Sequence, residues 1–195
     1  MKPLLFILAC CGWLMPCCQT NMISASELKE IYSEESSFAY SLPYEKGKSY
    51  LLVQAYQSKI LSHKDAFALD FKMKKGAKIC AARAGIVVAV KEDSRKGGLK
   101  IKYLSEGNHV IIRHDDSTYG NYWHLKHNGA LVKIGDTVQQ GQTIGLAGKT
   151  GYAAFAHLHF EVTTKLTPGY NQIPTQFATN KGRRYLRPLH WYKCI

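Results

Sequence analysis

Short runs of β-branched and aromatic residues recur along the chain from residue 50 onward. Clusters of Gly, Asn, Asp and Lys separate these runs, and no amphipathic helical pattern appears after residue 35. Strands this short and this frequent favour an all-β fold, either an antiparallel sandwich or an open barrel. A short helix is predicted only near the N-terminus, over 26–33, where a serine caps an acidic first turn. The predicted strands are 50–56, 67–71, 85–90, 109–114, 119–125, 142–146 and 158–164.

The first 25 residues predict a secretory signal peptide. Lys2 precedes an apolar run over 4–15, which falls short of the roughly 20 residues needed to span a bilayer. Cleavage after Ala25 and cleavage nearer Thr20 both stay open. Cys10 also follows the outline of a lipoprotein box, so lipid anchoring is an alternative. We therefore expect an exported protein of the periplasm, the cell envelope or the extracellular space.

The remaining chain is long enough for one domain with a sizeable core. We expect an N-terminal extension over 26–48, which could cover the site in a latent form, and one β domain over 49–195 with its core at 62–165. Four of the six cysteines lie in the leader, which leaves Cys80 and Cys194. Exported cysteines can be oxidised, so these two could form a disulfide. The alternative, two unpaired thiols, is equally compatible with the sequence.

The formal net charge of +12 favours polyanionic surroundings. Nucleic acid is disfavoured, because neither a recognition helix nor an aromatic RNA-binding motif occurs. Anionic envelope polymers or a membrane surface suit an exported chain better, although a solvated basic surface without a partner is equally open. The same two readings apply to the basic C-terminal tail, which contains Lys181, Arg183, Arg184 and Arg187.

Strand geometry gives the histidines of the tripeptide His157-Leu158-His159 a common face. Side chains alternate with a period of two, so Glu161 joins these two histidines while the intervening apolar residues face the core. The same alternation in the strand at 67–71 turns Asp70 away from its apolar neighbours, and His63 lies in the segment that enters this strand. Two imidazoles and a carboxylate are suited to a catalytic zinc ion, which keeps a fourth position for water. Candidate residues for such a site are His63, Asp70, His124, His157 and His159.

Together these motifs resemble the lysostaphin and LytM type of zinc endopeptidase, a family of peptidoglycan hydrolases with the duplicated hybrid motif fold. The resemblance implies that His63, Asp70 and His159 would bind one Zn²⁺ per chain. The segments that carry it are 62–71, 76–90, 108–114, 122–125, 135–145 and 157–161. In one departure, Asp70 follows His63 by seven residues, whereas family members most often place the aspartate four residues after the histidine. Asp65 is therefore kept as an alternative ligand.

The resemblance also implies catalytic roles for His157 and His124. No His-Glu-x-x-His motif supplies a helical glutamate base. We infer that His157 takes the proton of the attacking water, and that His124 stabilises the oxyanion or protonates the leaving amine, with the reverse order equally open. Glu161 is expected to support a ligand rather than to act as a base.

The expected activity is hydrolysis of peptide bonds in the stem or cross-bridge peptides of peptidoglycan. One alternative is a catalytically silent relative that binds cell wall or regulates an amidase. A second is a binding module, because the segment at 135–145 also resembles the hairpin of biotinyl and lipoyl domains. That module would need a carrier lysine at a hairpin tip, which this segment lacks.

Overall fold

The computed structural model describes residues 26, 38–57, 63, 66–167 and 171–195. The predicted signal peptide and, apart from exposed Ser26, the predicted helix at 26–33 lie outside these residues. Within the described chain, β-strands dominate and a 3-10 helix covers Ile101–Glu106. The strands are β1 Ser49–Gln54, β2 Ala68–Lys72, β3 Lys78–Cys80, β4 Gly85–Lys91, β5 Gly97–Gly98, β6 His109–Arg113, β7 Tyr119–Trp123, β8 Leu125–Ala130, β9 Thr137–Val138, β10 Thr143–Ala147, β11 Gly151–Tyr152, β12 His157–Thr163, β13 Gln172–Ile173, β14 Phe177–Thr179, β15 Gly182–Arg184 and β16 His190–Lys193.

The strands form one large sheet and three smaller ones, which confirms the all-β prediction. The large sheet runs in the order β16-β1-β2-β12-β7-β6-β4-β9, with β13 also paired to β12. Strands β3, β10 and β8 form a second sheet, and the pairs β11-β5 and β14-β15 stand apart. All pairings are antiparallel except β11-β5. The sheets do not close into a barrel, so the open architecture leaves one face of the large sheet accessible.

All seven predicted strands are present with ends within two residues of the prediction, and one of them, the strand predicted over 119–125, is interrupted. Strand β7 stops at Trp123, because His124 adopts a left-handed backbone conformation with φ of 66°. The chain then continues as β8, which pairs with β10 in the second sheet. His124 therefore sits where the chain passes from one sheet to the other, and not inside a continuous strand.

The core lies between the large sheet and the three-stranded sheet. Phe71 and Phe160 from the first sheet and Leu125 and Ile144 from the second belong to one cluster of buried apolar side chains. Tyr122 is fully buried among them, and its hydroxyl accepts a hydrogen bond of 2.8 Å from the backbone N–H of Ala82. This bond satisfies the phenolic oxygen, so a polar atom is accommodated at the centre of an apolar core.

Part of the predicted N-terminal extension belongs to this core. Tyr40, Leu42 and Tyr44 are almost completely buried, and the backbone N–H of Tyr40 donates to the carbonyl of Gln176 at 2.9 Å. The Tyr40 ring packs against Phe160, which lies on the core face of β12. The core thus begins before the predicted boundary at residue 49. The described part of the extension packs behind the sheet and does not cover its accessible face.

Cys80 and Cys194 are both buried free thiols. The sulfur of Cys80 lies 3.9 Å from the Thr143 hydroxyl, and that of Cys194 lies 3.8 Å from the carbonyl oxygen of Leu42. Burial is the main cause that raises the pKa of both thiols. The structure therefore shows two unpaired thiols and not a disulfide.

The segment at 135–145 contributes to two different sheets. Gly135 and Gly141 both have positive φ, and they turn the chain on either side of β9, which pairs with β4. The following strand, β10, pairs with β3 and β8 instead. A projecting carrier hairpin is therefore not formed. In the described parts of the chain, we find no helix with the length and apolar character required to cross a membrane.

Candidate active site

The pairing of β2 with β12 places Asp70 directly opposite His159. These two residues are Cα partners in the antiparallel register, and both strands bury their alternate apolar residues in the core. Leu69 and Leu158 are fully buried on the opposite face. The apolar packing beneath the two strands thus fixes where the carboxylate and the imidazole stand, as the alternation in the sequence predicted.

Three side chains converge on the accessible face with the spacing of metal ligands. Nε2 of His63 lies 3.3 Å from Nδ1 of His159 and 3.4 Å from Oδ2 of Asp70. Nδ1 of His159 lies 3.0 Å from Oδ1 of Asp70. A tetrahedral zinc ion with bonds of 2.0–2.1 Å would hold its ligand atoms about 3.3 Å apart. Both the residue types and their separations therefore fit a zinc ion.

The charges in this cluster favour a cation. Burial opposes ionisation of Asp70, but hydrogen bonds from His159 and His63 outweigh it and hold the pKa of the carboxyl well below its usual range. Burial likewise disfavours the charged form of His159, yet the carboxylates of Asp70 and Glu161 raise its pKa to about 10. The cluster thus offers a buried site where positive charge is stabilised by carboxylates, as a bound divalent cation requires.

His124 and His157 lie beside this cluster, with ring centroids 4.5 Å apart. Nδ1 of His124 is 2.7 Å from the carbonyl oxygen of Thr150, and Nδ1 of His157 is 2.9 Å from that of Phe155. Because a carbonyl oxygen only accepts, each Nδ1 carries the proton, and each neutral ring keeps a lone pair on Nε2. Nε2 of His157 lies 3.6 Å from Oδ1 of Asp70, so this lone pair is at the cluster.

Both flanking imidazoles favour the neutral form. Burial, reinforced by repulsion from His157 and His159, lowers the pKa of His124 to about 3. Burial also lowers the pKa of His157, although the nearby Asp70 carboxylate opposes the shift. At neutral pH both rings are therefore neutral with unprotonated Nε2 atoms, and the adjacent Asp70 carboxylate favours His157 as the ring that takes up a proton.

Glu161 supports the outer side of His159. Its Oε2 lies 3.8 Å from Nε2 of His159, the ring atom that points away from Asp70 and His63. The same oxygen accepts a hydrogen bond from Nε2 of Gln172, and Oε1 of Gln172 accepts from the backbone N–H of Phe67 at 2.8 Å. A histidine ligand is commonly oriented by a carboxylate at its second nitrogen. Gln172 therefore links the backbone ahead of β2 to this carboxylate.

The cluster opens into a groove of about 900 Å³. This volume is within the range of sites that bind small molecules or peptide segments. Polar walls are contributed by Gln54, Lys72 and Gln172, whereas Trp123, Tyr152 and Phe155 provide aromatic walls. The site thus has room for an extended chain next to the three candidate ligands.

The structure brings together all five residues that the sequence singled out, and it places two other histidines elsewhere. His109 packs on the ring of Trp123 at 4.2 Å between centroids. His114 is buried, with its Nδ1 2.8 Å from the carbonyl oxygen of Ala84. Asp65, the alternative ligand, lies outside the described residues.

Sequence reasoning missed Gln172 and the two carbonyls that orient His124 and His157. Gln172 sits at the end of a Pro- and Gly-containing stretch and carries no periodic signal. The carbonyls belong to the backbone, which a motif does not specify. Only the folded strand order reveals these contacts.

The profile of Peptidase family M23 matches residues 64–171, which is more than half of the chain. The chain belongs to peptidase family M23. The matched range includes Asp70, His124, His157 and His159, and it begins one residue after His63. Membership confirms the predicted resemblance to lysostaphin-type peptidases.

Curated relatives resemble the M23 region of this chain. Peptidoglycan DD-endopeptidase ShyA of Vibrio cholerae is 33% identical over 99 residues, which cover 51% of this chain and 20% of ShyA. Lysostaphin of Staphylococcus simulans is 32% identical over 118 residues, covering 60% of this chain and 22% of lysostaphin. The matches thus span about a fifth of the length of these relatives.

A solved M23 domain shares the fold. The catalytic domain of the prophage-encoded M23 protein EnpA from Enterococcus faecalis superposes with a TM-score of 0.52 at 24% identity. The superposition covers 68% of this chain and 93% of that domain. At 24% identity, this structural similarity shows that the two domains share a fold.

Proposed function

We propose that this chain is an exported zinc-dependent endopeptidase that hydrolyses peptide bonds in the stem or cross-bridge peptides of peptidoglycan. The observation that carries the proposal is the convergence of His63, Asp70 and His159, at ligand spacing, beside two neutral histidines. This combination provides both a metal site and groups that transfer protons, which hydrolysis of an unactivated amide requires.

His63 Nε2, an Asp70 carboxylate oxygen and His159 Nδ1 would hold the ion, one per chain. Bound zinc would supply a Lewis acid that polarises the scissile carbonyl and makes water acidic enough to react near neutral pH. Asp70 is ionised in the metal-free cluster, where hydrogen bonds from His159 and His63 outweigh burial and hold the pKa of its carboxyl well below the usual range, so a carboxylate is available to bind the ion. Glu161 would keep the His159 ring in the orientation that directs Nδ1 inward.

His157 and His124 would transfer the protons of the reaction. We assign the proton of the attacking water to Nε2 of His157, because this ring lies against Asp70 at the cluster. Nε2 of His124, whose ring lies beside that of His157, would donate to the oxyanion or to the leaving amine the proton that His157 takes from the attacking water. The carbonyls of Thr150 and Phe155 keep both Nδ1 atoms protonated, and thereby keep both Nε2 atoms available.

The proposed substrate rests on the relatives and on the groove. ShyA is named a peptidoglycan DD-endopeptidase, and the M23 match over 64–171 includes four of the five site residues, all except His63. The open groove beside the cluster can admit an extended peptide. Peptidoglycan lies outside the cytoplasmic membrane, so this substrate also requires the export that the N-terminal sequence predicts.

The test measures zinc content and the release of soluble peptides from purified cell wall, with and without a chelator. The protein should contain one zinc per chain and should release peptides only while the metal is present. His159→Ala should lose both zinc and activity, whereas His157→Ala should keep zinc and lose activity. His190→Ala is the matched control, because this exposed imidazole on β16 lies against the Pro188 carbonyl and the Tyr192 ring, and it should change neither property.

Three results would overturn the proposal in different ways. Zinc without cleavage of any cell-wall peptide would indicate the silent relative that binds wall or regulates an amidase. Cleavage that persists in a metal-free preparation would exclude the zinc mechanism. A protein that neither binds zinc nor cleaves would remove the assignment of the site altogether.

A further inference from the structure

One wall of the groove ends in an exposed apolar ridge. We define the ridge as Leu99, Ile101 and Leu104, whose side chains are 65%, 78% and 63% exposed. The 3-10 helix Ile101–Glu106 buries none of its residues, although half of them are apolar or aromatic. A short helix in a folded domain normally packs its apolar side against the core. This helix instead presents its apolar side chains to the outside.

Lysines alternate with the apolar residues of the ridge. The sequence reads Leu99-Lys100-Ile101-Lys102, and both lysines are exposed. Lys102 extends over the Tyr103 ring, with Nζ 5.5 Å from its centroid. Arg95 and Lys149 are exposed nearby, and the Lys149 carbonyl borders Gly97 just ahead of the ridge. The ridge thus combines protruding apolar side chains with neighbouring cationic side chains.

Nearby carboxylates do not neutralise these cations. Glu106 is paired with Lys96 at 3.0 Å, and Asp93 is paired with Lys91 at 2.8 Å. Among the described residues, Lys100 and Lys102 have no carboxylate within ion-pair distance. The ridge therefore keeps a local positive charge next to its apolar tips.

From this pattern we infer that the ridge binds an anionic lipid surface, with its apolar tips in the interface and its lysines against the headgroups. An apolar side chain gains free energy by leaving water for the acyl boundary, and each neighbouring cation gains from the negative surface potential. A soluble anionic polymer would use the lysines but would leave the apolar tips in water. The combination therefore fits a bilayer better than a polymer.

The peptide groove does not explain the whole ridge. Leu99 and Leu104 border the groove, but Ile101, the most exposed of the three, does not line it. A bound peptide could cover the first two and would leave Ile101 exposed. A lipid surface is not confined to the groove, and the exposure of all three residues leaves each available to it. The inference does not depend on catalysis, because neither the ridge nor its lysines contact the candidate metal ligands in the described structure.

Vesicle sedimentation tests the inference on the full chain without zinc. Vesicles of phosphatidylcholine mixed with phosphatidylglycerol should bind the protein more tightly than vesicles of phosphatidylcholine alone. The combined variant Leu99→Ser, Ile101→Ser, Leu104→Ser should weaken binding to the mixed vesicles by about tenfold or more. Lys100→Gln with Lys102→Gln should weaken it by roughly tenfold or more at low salt, and less as salt screens the charges.

Leu131→Ser with Ile134→Ser is the matched control, because these residues are 54% and 63% exposed on another loop. It should leave binding unchanged. Every variant carries the same N-terminal segment, so any lipid affinity of that segment cancels in the comparison. All substituted side chains are exposed, and an unchanged thermal midpoint checks the fold.

Several outcomes overturn the inference. Equal binding by wild type and by both ridge variants excludes the ridge as the contact. An equal loss in the Leu131 and Ile134 control excludes a localised surface. If the apolar variant instead loses only hydrolysis of soluble wall peptides, the ridge is a substrate wall. If only the lysine variant weakens binding, and a soluble polyphosphate competes fully, the ridge recognises an anionic polymer.

Discussion

At position 124, substitution by glycine should leave the protein more stable than substitution by alanine, which is the reverse of the usual order. The φ of 66° at His124 lies in the left-handed region, which costs a residue with a Cβ roughly 1–2 kcal/mol. Glycine avoids this cost, but it loses about 0.5–1 kcal/mol relative to alanine through the greater entropy of its unfolded chain. Both variants lose the same hydrogen bond to Thr150 and the same ring packing, so these effects cancel between them.

We therefore expect His124→Gly to be more stable than His124→Ala by about 0.8 kcal/mol, the difference between the central values of the two costs. For a chain of this size, the difference corresponds to roughly 1–4 °C in the thermal midpoint. Urea unfolding should be measured in the presence of a chelator, so that metal binding does not contribute. Both variants should be inactive in the peptide-release assay, because neither has an imidazole at this position.

The control is the same pair of substitutions at Arg113, an exposed residue in strand β6. There the ordinary order should hold, with Arg113→Gly less stable than Arg113→Ala by about 0.5–1 kcal/mol. If His124→Gly is no more stable than His124→Ala, then the backbone at His124 is not strained. The explanation given for the early end of β7 would then fail.

Three further predictions concern the core and the candidate metal site. Tyr122→Phe should lower the free energy of unfolding by about 1–3 kcal/mol, because the buried N–H of Ala82 loses its acceptor. Urea unfolding measures this free energy, and an unchanged value would contradict the prediction. Gln172→Ala should weaken zinc affinity by up to roughly tenfold, because Glu161 loses the hydrogen bond that Gln172 donates to it. Competition with a zinc indicator measures the affinity. Gln176→Ala is the control and should leave the affinity unchanged. Zinc at about 100 times its Kd should stabilise the protein by about 2.7 kcal/mol, and equal stabilisation of His159→Ala would exclude His159 as a ligand.

The alternation of residues in β2 and β12 was enough to predict that Asp70 and His159 each face away from the core. Each has buried apolar neighbours on both sides in sequence, and a period of two then leaves one direction for the polar side chain. The sequence did not specify that the two strands are adjacent, which depends on long-range pairing. The resemblance to a known family supplied this information.

Other features could not be read from local patterns. The predicted strand at 119–125 ran through His124, because nothing in Tyr-Trp-His-Leu signals a left-handed residue. The burial of Tyr40, Leu42 and Tyr44 was missed because their contacts are with distant strands. Short strands such as β9 and β11 contain only two residues, too few to show any periodicity.

Strand β12 is hydrogen-bonded on both sides, to β2 and to β7, near the middle of the large sheet. Its amides should therefore exchange with deuterium only when the whole domain unfolds, whereas His63 is not part of any of the strands. A ligand that joins the two couples a rarely opened strand to a residue that the sheet hydrogen bonds do not hold. Metal occupancy should then slow exchange throughout the sheet, and hydrogen exchange would report binding at amides far from the ion.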